Sequence, residues 1–92
     1  MHIQHKKTGA RGAFIIEEDG DMVAELVYAD AGGKMVIEHT EVDEELRGQN
    51  IGYELVQHAV EYARSEGRKI VPVCKFAKAV FDKKADYNDV LG

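Results

Sequence analysis

Cysteine, long apolar runs and positive charge are scarce in this 92-residue sequence, and each scarcity excludes a class of protein. With one cysteine, Cys74, a disulfide framework is excluded, and a reducing cytoplasm is the simplest compartment. No run of about eighteen apolar residues occurs, so we expect no membrane span. Residues 1–11 are polar and lack the apolar stretch of a secretory signal. The histidines and the cysteine show no metal-ligand spacing, so we predict no metal site.

The charge is unevenly spread along the chain. The net charge is −5, and residues 17–45 hold eleven acidic side chains and one basic one, whereas residues 64–84 hold seven basic and two acidic ones. Nucleic-acid binding needs a broad basic face, so we predict no nucleic-acid partner. The basic segment can attract an anionic ligand. Solvated surfaces of no special function are an equally good interpretation of both segments.

The length and composition indicate one small folded domain. Hydrophobic residues make up 45% and charged residues 32%, which is ordinary for a globular chain. Ninety-two residues allow a single modest core, so we assign residues 1–92 to one domain. The exposed edge strand of a small sheet can remain unpaired or can pair with the edge of a second copy. We therefore expect a monomer or a weak homodimer.

Turn signals divide the first half into three strands. Asp19-Gly20 is typical of a hairpin turn, because glycine accepts positive φ at little cost. A second turn is predicted at residues 30–33. The strands are then expected over residues 13–18, 22–29 and 34–42, forming an antiparallel meander. If the third strand is regular, one of its faces carries Met35, Ile37, His39 and Glu41 and the other carries Val36, Glu38, Thr40 and Val42.

The second half changes to helical spacing. Apolar residues from Ile51 to Ala63 recur on one helical face, and Gly67 is a suitable C-terminal stop. A short strand over residues 70–73 contains Pro72, which favours a sheet edge. Residues 74–84 are again helical, and the residues expected to face inward are Phe76, Ala77, Val80 and Phe81. A final turn is expected over residues 87–91, with Tyr87 and Leu91 packed. The fold class is therefore α+β, or α/β, with an antiparallel meander, a strand–helix–strand unit and a C-terminal helix.

A strand–helix–strand unit also predicts where a ligand binds. Such crossovers are nearly always right-handed, and they make the two strands parallel. The ligand site then lies where the C-terminal ends of the strands diverge and the helix begins. Val42 and Cys74 are therefore expected at the same crevice. The segment Arg47-Gly48-Gln49-Asn50-Ile51-Gly52 opens the helix, and its backbone N–H groups are a ready site for phosphate.

This hexapeptide resembles the pyrophosphate signature of the GCN5-related N-acetyltransferase (GNAT) superfamily, Gln/Arg-x-x-Gly-x-Gly/Ala. Arg47 and Gly52 match it, and Asn50 stands where glycine is usual. Asparagine is the next most tolerant residue for a left-handed backbone, so the loop can keep its shape. With residues 39–42, 72–77 and 87–91, the likeness spans most of the chain and points to small single-domain GNAT-like proteins that have a cysteine near the acetyl-CoA pocket.

The resemblance implies that acetyl-CoA is the cofactor and that the chain transfers the acetyl group to an unidentified amine, either a small molecule or a protein. The alternative is a non-catalytic CoA-binding sensor or interaction module. In this family the pantetheine arm lies against the strand that ends here at residues 40–42, where a β-bulge opens the crevice and the Val42 N–H can polarise the thioester carbonyl. The expected cofactor-binding residues are Thr40, Val42, Arg47, Gly48, Gln49, Asn50, Ile51, Gly52, Lys75 and Lys78.

Three side chains are the main candidates for catalysis, and Tyr87 is considered after them. Cys74 lies at a predicted helix start beside Lys75, a setting typical of reactive cysteines. It can accept the acetyl group, line the pocket, or be a small packed hydrophobe. His39 and Glu41 are candidate bases for the acceptor amine, directly or through water, and as an acidic rim they can attract a cationic acceptor. A satisfied histidine beside an exposed carboxylate is the plainer interpretation. Tyr87 is a packing residue or a proton donor to the departing thiolate.

Overall fold

Tight turns and one long helix organise the chain. The computed structural model describes residues 2–92 and contains a five-stranded sheet with two α-helices. The strands are β1 (Gln4–Thr8), β2 (Arg11–Glu18), β3 (Asp21–Ala31), β4 (Lys34–Val42) and β5 (Lys69–Pro72). The helices are α1 (Ile51–Ser65) and α2 (Lys75–Lys83), and short 3-10 helices span Glu44–Leu46 and Ala85–Val90. Within residues 2–92 no helix is both long and apolar enough to cross a bilayer.

The sheet has the predicted topology. Strand order follows chain order, β1 to β4 are antiparallel, and β5 pairs with β4 in parallel. Asp19 (φ 52°) and Gly20 (φ 85°) both adopt positive φ, as the turn of a tight hairpin requires. β5 is an edge strand, so Pro72 lies where its missing N–H costs no ladder bond. The crossover from β4 through α1 to β5 makes the strand–helix–strand unit.

The structure corrects three boundaries. The polar segment Gln4–Thr8 forms β1, an edge strand that its composition did not predict. β2 and β3 extend past the expected ends, to Arg11 and Ala31 respectively. At the other end of the chain, Val90 is buried while Leu91 remains 42% exposed, so the final turn packs Val90 where we expected Leu91.

One core joins the sheet to both helices. The predicted apolar face of α1 is buried from Ile51 to Ala63, and Ala77, Val80 and Phe81 of α2 belong to the same cluster. Phe76, expected to face inward, is 37% exposed and lies against Gly52. The core therefore fixes the start of α1 next to the start of α2, and the ligand-binding geometry follows from that placement.

Candidate active site

The site begins where β4 and β5 part. Their parallel pairing runs from Lys34↔Lys69 to Ile37↔Pro72 and stops there. The carbonyl of Ile37 accepts hydrogen bonds from the N–H groups of Val73 (3.0 Å) and Cys74 (3.1 Å), which turn the chain away from β4. β4 continues to Val42 with its second edge unpaired by β5. The result is the divergent strand pair that the sequence predicted.

A β-bulge in β4 decides which side chains enter the opening. Tyr28 pairs with Ile37 and Val27 pairs with His39, so Glu38 is one extra residue in β4. A bulge shifts the alternation of side chains by one position. The bulge expected near this strand end is therefore present. Beyond it, Thr40 and Val42 pair with the buried residues Leu26 and Ala24 and lie on the helix side of the sheet.

The same bulge overturns the predicted face of His39 and Glu41. We expected them on the face of Met35 and Ile37, which are fully buried. Their partners are Val27 and Glu25, and the His39 and Glu41 side chains are 51% and 68% exposed. The regular alternation assumed for β4 is wrong from Glu38 onward, and both side chains lie on the sheet face opposite the core.

The backbone of β4 also alternates, and this sets the direction of the Val42 amide. The N–H of Asp43 donates to the carbonyl of Val23 in β3 at 2.8 Å. Because N–H groups of successive strand residues point to opposite sides, those of Thr40 and Val42 point away from β3 and into the opening. The carbonyl of Val42 also points away from β3, because it accepts a hydrogen bond from Arg47 Nε at 3.4 Å.

The loop before α1 has the shape expected of a phosphate-binding turn. Gly48 has φ 89°, and Asn50 has φ 60° and ψ 22°, a left-handed conformation. Asn50 thus takes the backbone geometry that glycine usually provides. Its carbonyl accepts from the Glu54 N–H at 3.1 Å, while its side chain makes no capping bond within the described chain. The first N–H groups of α1 are therefore free of a side-chain cap, and the helix dipole adds to their attraction for anions.

Strand end, loop and helix start enclose a cavity of about 540 Å³. Its walls combine backbone polar groups with apolar side chains, the usual character of a cofactor site. The Gly52 Cα lies so close to Phe76 that an added Cβ would stand 2.6 Å from the ring. The lining residues are His39, Thr40, Glu41, Val42, Leu46, Arg47, Gly48, Asn50, Ile51, Gly52, Tyr53 and Phe76.

Most of the expected cofactor-binding residues lie in this cavity. Gln49, Lys75 and Lys78 are not among the described residues that line it, and the Gln49 N–H is used within the turn, donating to Leu46 at 3.4 Å. The three lining residues that the sequence did not assign to a site are Leu46, Tyr53 and Phe76. Tyr53 follows the signature directly, and its position in the first turn of α1 was the available signal.

Cys74 lies beside the cavity. It precedes α2 and is half-buried, and its Sγ is 3.2 Å from Thr40 Oγ1. The topology therefore brings together two residues that are 34 positions apart. We expected Cys74 at the same crevice as Val42, and its contact is with Thr40, two residues earlier in β4. Thr40 lines the cavity, so the Cys74 thiol is one side chain away from it.

On the outer face, His39 joins two carboxylates. His39 Nε2 is 3.2 Å from Glu41 Oε2 and 3.9 Å from Glu25 Oε1. One donor atom from each of the three side chains lies within 4.8 Å of the others. Glu25 and Glu41 are direct cross-strand partners, and like charges in that relation repel. The group forms an acidic patch at the edge of β4.

A second cavity, of about 590 Å³, continues from the first along α1. The two cavities share Asn50 and Tyr53. The other lining residues are Glu54, Gln57, Lys83, Lys84 and Tyr87. Tyr87 packs edge-on against Phe81 at 5.7 Å, and burial raises the pKa of its phenol above the ordinary value. This second cavity is more polar and more open than the crevice.

At the far end of α1 the structure is closed by aromatic and ionic contacts. His5 stacks on Phe14 at 4.3 Å and shares a 2.6 Å hydrogen bond with the Tyr28 hydroxyl. Burial raises the pKa of Tyr28 to about 12 and lowers that of His5. Hydrogen bonds from Lys7 and Arg68 hold the pKa of Asp30 below its usual value. This end has the contacts of a structural anchor.

Comparison with known proteins agrees with this architecture. A sequence model of the GCN5-related N-acetyl-transferase family matches residues 13–90. A GCN5-like protein from Staphylococcus aureus, solved by NMR, is 32% identical, with a TM-score of 0.73 and coverage of 97% of this chain and 87% of its own. A search of curated proteins found no match.

Two more distant structures share the fold. The ribosomal-protein-S18-alanine N-acetyltransferase of Escherichia coli is 16% identical, with a TM-score of 0.69 and coverage of 85% of this chain and 54% of its own. A Bacillus anthracis acetyltransferase crystallised with acetyl coenzyme A is 18% identical, with a TM-score of 0.62 and coverage of 79% of this chain and 47% of its own. The chain spans about half the length of these two proteins.

Fold and crevice define an acyl-CoA-dependent transferase. The chain belongs to the GCN5-related N-acetyltransferase family, and its cofactor is acetyl-CoA. The identity of the acceptor amine is a separate question.

Proposed function

We propose that this protein acetylates a cationic primary amine by direct transfer, with the Val42 N–H as oxyanion donor and the Glu41–His39 pair as base. The supporting observation is the bulge at Glu38. It places the Val42 amide toward the crevice and the His39 and Glu41 side chains on the other face of the same strand edge. Donor and base thus flank one stretch of backbone from opposite sides.

The crevice fits the cofactor. The uncapped start of α1 and the left-handed residues Gly48 and Asn50 suit a pyrophosphate, and Arg47 adds a charge-assisted contact. Leu46 and Phe76 supply apolar walls for the pantetheine arm. When bound, acetyl-CoA supplies an activated acetyl thioester. The Val42 N–H then donates to the carbonyl oxygen, where negative charge develops during transfer.

The acceptor is expected to approach from the outer face. Glu25 and Glu41 attract an ammonium group, and the Glu41–His39 pair accepts its proton, since these two side chains are in hydrogen-bonding contact at 3.2 Å. The Thr40–Cys74 contact supports a pocket-lining role for Cys74, because the thiol lies on the helix side of the sheet with Thr40. A covalent route through Cys74 is the competing mechanism.

The test combines binding and turnover. Acetyl-CoA is titrated into the labelled protein by amide NMR, and release of free CoA is followed with lysine peptides, polyamines and amino sugars. We expect amide shifts at Gly48, Asn50 and Val42, and turnover with at least one amine. Binding without turnover on any amine would favour the non-catalytic CoA-binding module, and no shifts at millimolar acetyl-CoA would exclude a functional cofactor site.

Two variants separate the mechanisms. H39Q/E41Q should lower kcat by about 100-fold or more at neutral pH while the affinity for acetyl-CoA is kept, since a positioned base contributes on that scale. C74A should keep turnover within a few-fold. If C74A instead abolishes turnover and binds acetyl-CoA normally, the direct route is wrong and the covalent one is favoured. The affinity measurement distinguishes this outcome from a damaged pocket.

A further inference from the structure

On the outer face of the sheet, three side chains with metal-ligating atoms converge. Glu25 of β3 is the direct partner of Glu41 in β4, and His39 lies two residues before Glu41 on the same face. Direct and diagonal partners on one sheet face are within reach of one another. The bulge at Glu38 creates this arrangement, because regular alternation would turn His39 and Glu41 toward the core. Two hydrogen-bonded strands therefore hold the group together without a loop.

The distances in this group are close to those of a metal-ligand set. His39 Nε2 is 3.2 Å from Glu41 Oε2 and 3.9 Å from Glu25 Oε1, and the three donor atoms all lie within 4.8 Å of one another. Around a tetrahedral ion with bonds of about 2.1 Å, the ligand atoms are roughly 3.4 Å apart. The two Nε2 separations bracket that value, and the exposed side chains of His39 and Glu41 can rotate to adjust the third. A single ion can thus contact all three atoms.

The two carboxylates of this group have no fixed cation to offset their charge. Among residues 2–92, the only ion-pair contacts of Glu25 and Glu41 are with His39. The Arg11 guanidinium, which reaches β4 from β2, is bonded to Glu38 instead. Like charges directly opposite each other in a sheet are destabilising. A bound divalent cation would therefore relieve a repulsion that the strand register imposes.

The mixed donor set selects the kind of cation. Mg²⁺ and Ca²⁺ prefer oxygen ligands, whereas an imidazole nitrogen beside carboxylate oxygens suits Zn²⁺ and similar transition metals. Three protein ligands leave the fourth position of a tetrahedron open to water. The spacing of residues along the chain gave no sign of this set, because Glu25 belongs to a different strand from His39 and Glu41.

From this geometry we infer that Glu25, His39 and Glu41 bind a divalent transition-metal ion of the Zn²⁺ type on the outer face of the sheet. Metal binding does not depend on the proposed function. Its consequence for activity rests on that function: the ion occupies the Glu41–His39 pair that we assigned as the base, so it inhibits acetyl transfer reversibly. The protein is then fully active only where free Zn²⁺ is scarce.

The experiment titrates Zn²⁺ into the metal-free full chain at neutral pH, in competition with a chromogenic zinc indicator. We expect one equivalent to bind, and Mg²⁺ in large excess should not displace it. E25Q and H39Q each remove one ligand and should weaken Zn²⁺ binding by more than about tenfold, since losing even an outer partner of a metal ligand costs that much. Both substitutions are on the sheet face away from the core, and urea unfolding checks that the variants are folded.

Three matched variants identify the ligands. E38Q removes a carboxylate from the same strand, H58Q removes an exposed imidazole from α1, and C74A removes the single thiol of the chain. All three should bind Zn²⁺ as the unaltered protein does. No binding at micromolar Zn²⁺, an affinity unchanged in E25Q and H39Q, or an affinity lost in any of the three controls would each overturn the inference.

Turnover distinguishes the metal site from the proposed base. Zn²⁺ should inhibit formation of the acetylated amine by the unaltered protein, and EDTA should restore it. E25Q should require more than about tenfold more Zn²⁺ for the same inhibition. Binding with the expected ligand pattern but without inhibition would support the metal site and contradict the Glu41–His39 pair as base. Inhibition equally strong in E25Q would place the inhibitory ion elsewhere and count against the inference.

Discussion

The two ends of α1 differ in what surrounds them. At the open end, which comprises Val42, residues 47–52 and Phe76, backbone groups face a cavity and the helix start has no side-chain cap. At the closed end, side chains contact one another through hydrogen bonds, ion pairs and stacked rings. The residues of this closed end are His5, Gly12, Phe14, Tyr28, Asp30, Tyr62, Arg64, Arg68 and Asp89. Gly67 (φ 65°) ends the helix there, and the Arg68 N–H donates back to Ala63 at 2.8 Å.

Ionic contacts fasten the closed end. Arg64 binds Asp89 through two nitrogens at 2.8 and 2.9 Å, and Arg68 binds Asp30 at 2.6 Å. Asp89 keeps a lowered pKa because of its bond to Arg64. One helix therefore separates two tasks: its C-terminal turn is fastened to the sheet, and its N-terminal turn is left available to a ligand. The separation predicts that changes at the two ends affect different measurements.

The largest effect is expected from removing the Val42 N–H. V42P deletes a donor that points into the crevice and takes no part in pairing with β3, so the sheet should persist. Loss of one oxyanion donor typically lowers kcat by about 100- to 1000-fold. V42A, which keeps the N–H, is the matched control and should stay within a few-fold. Equal losses in the two variants would show that the side chain, and not the amide, matters.

A glycine-to-alanine change at the closed end should cost stability. The Cβ of G12A would stand 2.3 Å from the ring of Tyr28, which is fully buried, pinned against its neighbours and unable to swing aside. We expect the free energy of unfolding to fall by about 3 kcal/mol, at the upper end for overpacking. Urea unfolding measures it. The folded fraction should still bind acetyl-CoA normally, and a large loss of affinity would show that the ends are coupled.

The same change at the open end should cost binding instead. The Cβ of G52A would stand 2.6 Å from Phe76, but that ring is 37% exposed and can move. The unfolding free energy should therefore change by less than about 1 kcal/mol. The displaced ring should narrow the crevice and lower the affinity for acetyl-CoA by about tenfold. G52A/F76A should recover affinity because the obstructing ring is gone. No recovery would mean that the helix start itself has shifted.

Sequence predicted the open end better than the closed one. The bounds of β4 and the start of α1 follow from turns, alternation and a glycine-containing signature, all of which are local. The bulge at Glu38 has no local sequence signal, because the segment from Val36 to Thr40 is equally compatible with regular alternation of side chains. One unpaired residue was enough to transfer His39 and Glu41 to the other face.

The closed end depends on contacts between distant residues. β1 is too polar to be recognised as a strand, and it forms because the edge of β2 is free to pair with it. The bond from His5 to Tyr28 and the pair Arg64–Asp89 join positions 23 and 25 residues apart. The second cavity has the same origin, because Lys83 approaches Gln57 only after α2 has packed beside α1. None of these pairs has a local signature.

The smallest effect concerns pH and belongs to the closed end. Burial lowers the pKa of His5 from 6.5, and Lys7 acts in the same direction while Asp30 opposes it. The unfolded chain therefore binds the proton more readily than the folded one. This contribution to stability is full above about pH 6.5, the unfolded value, and is lost as the pH falls through the lower folded value.

H5Q removes this titration and keeps a polar side chain near Tyr28. Between pH 7 and pH 5 its unfolding free energy should change less than that of the unaltered protein. The difference between the two changes should be less than about 1 kcal/mol, because His5 is partly solvated. Acetyl-CoA affinity at a fixed pH should be the same in both proteins, since His5 lies at the opposite end of α1 from the crevice. A matching pH slope in the two proteins would assign the dependence to other groups, and a change in affinity would show that the anchor and the cofactor site are not independent.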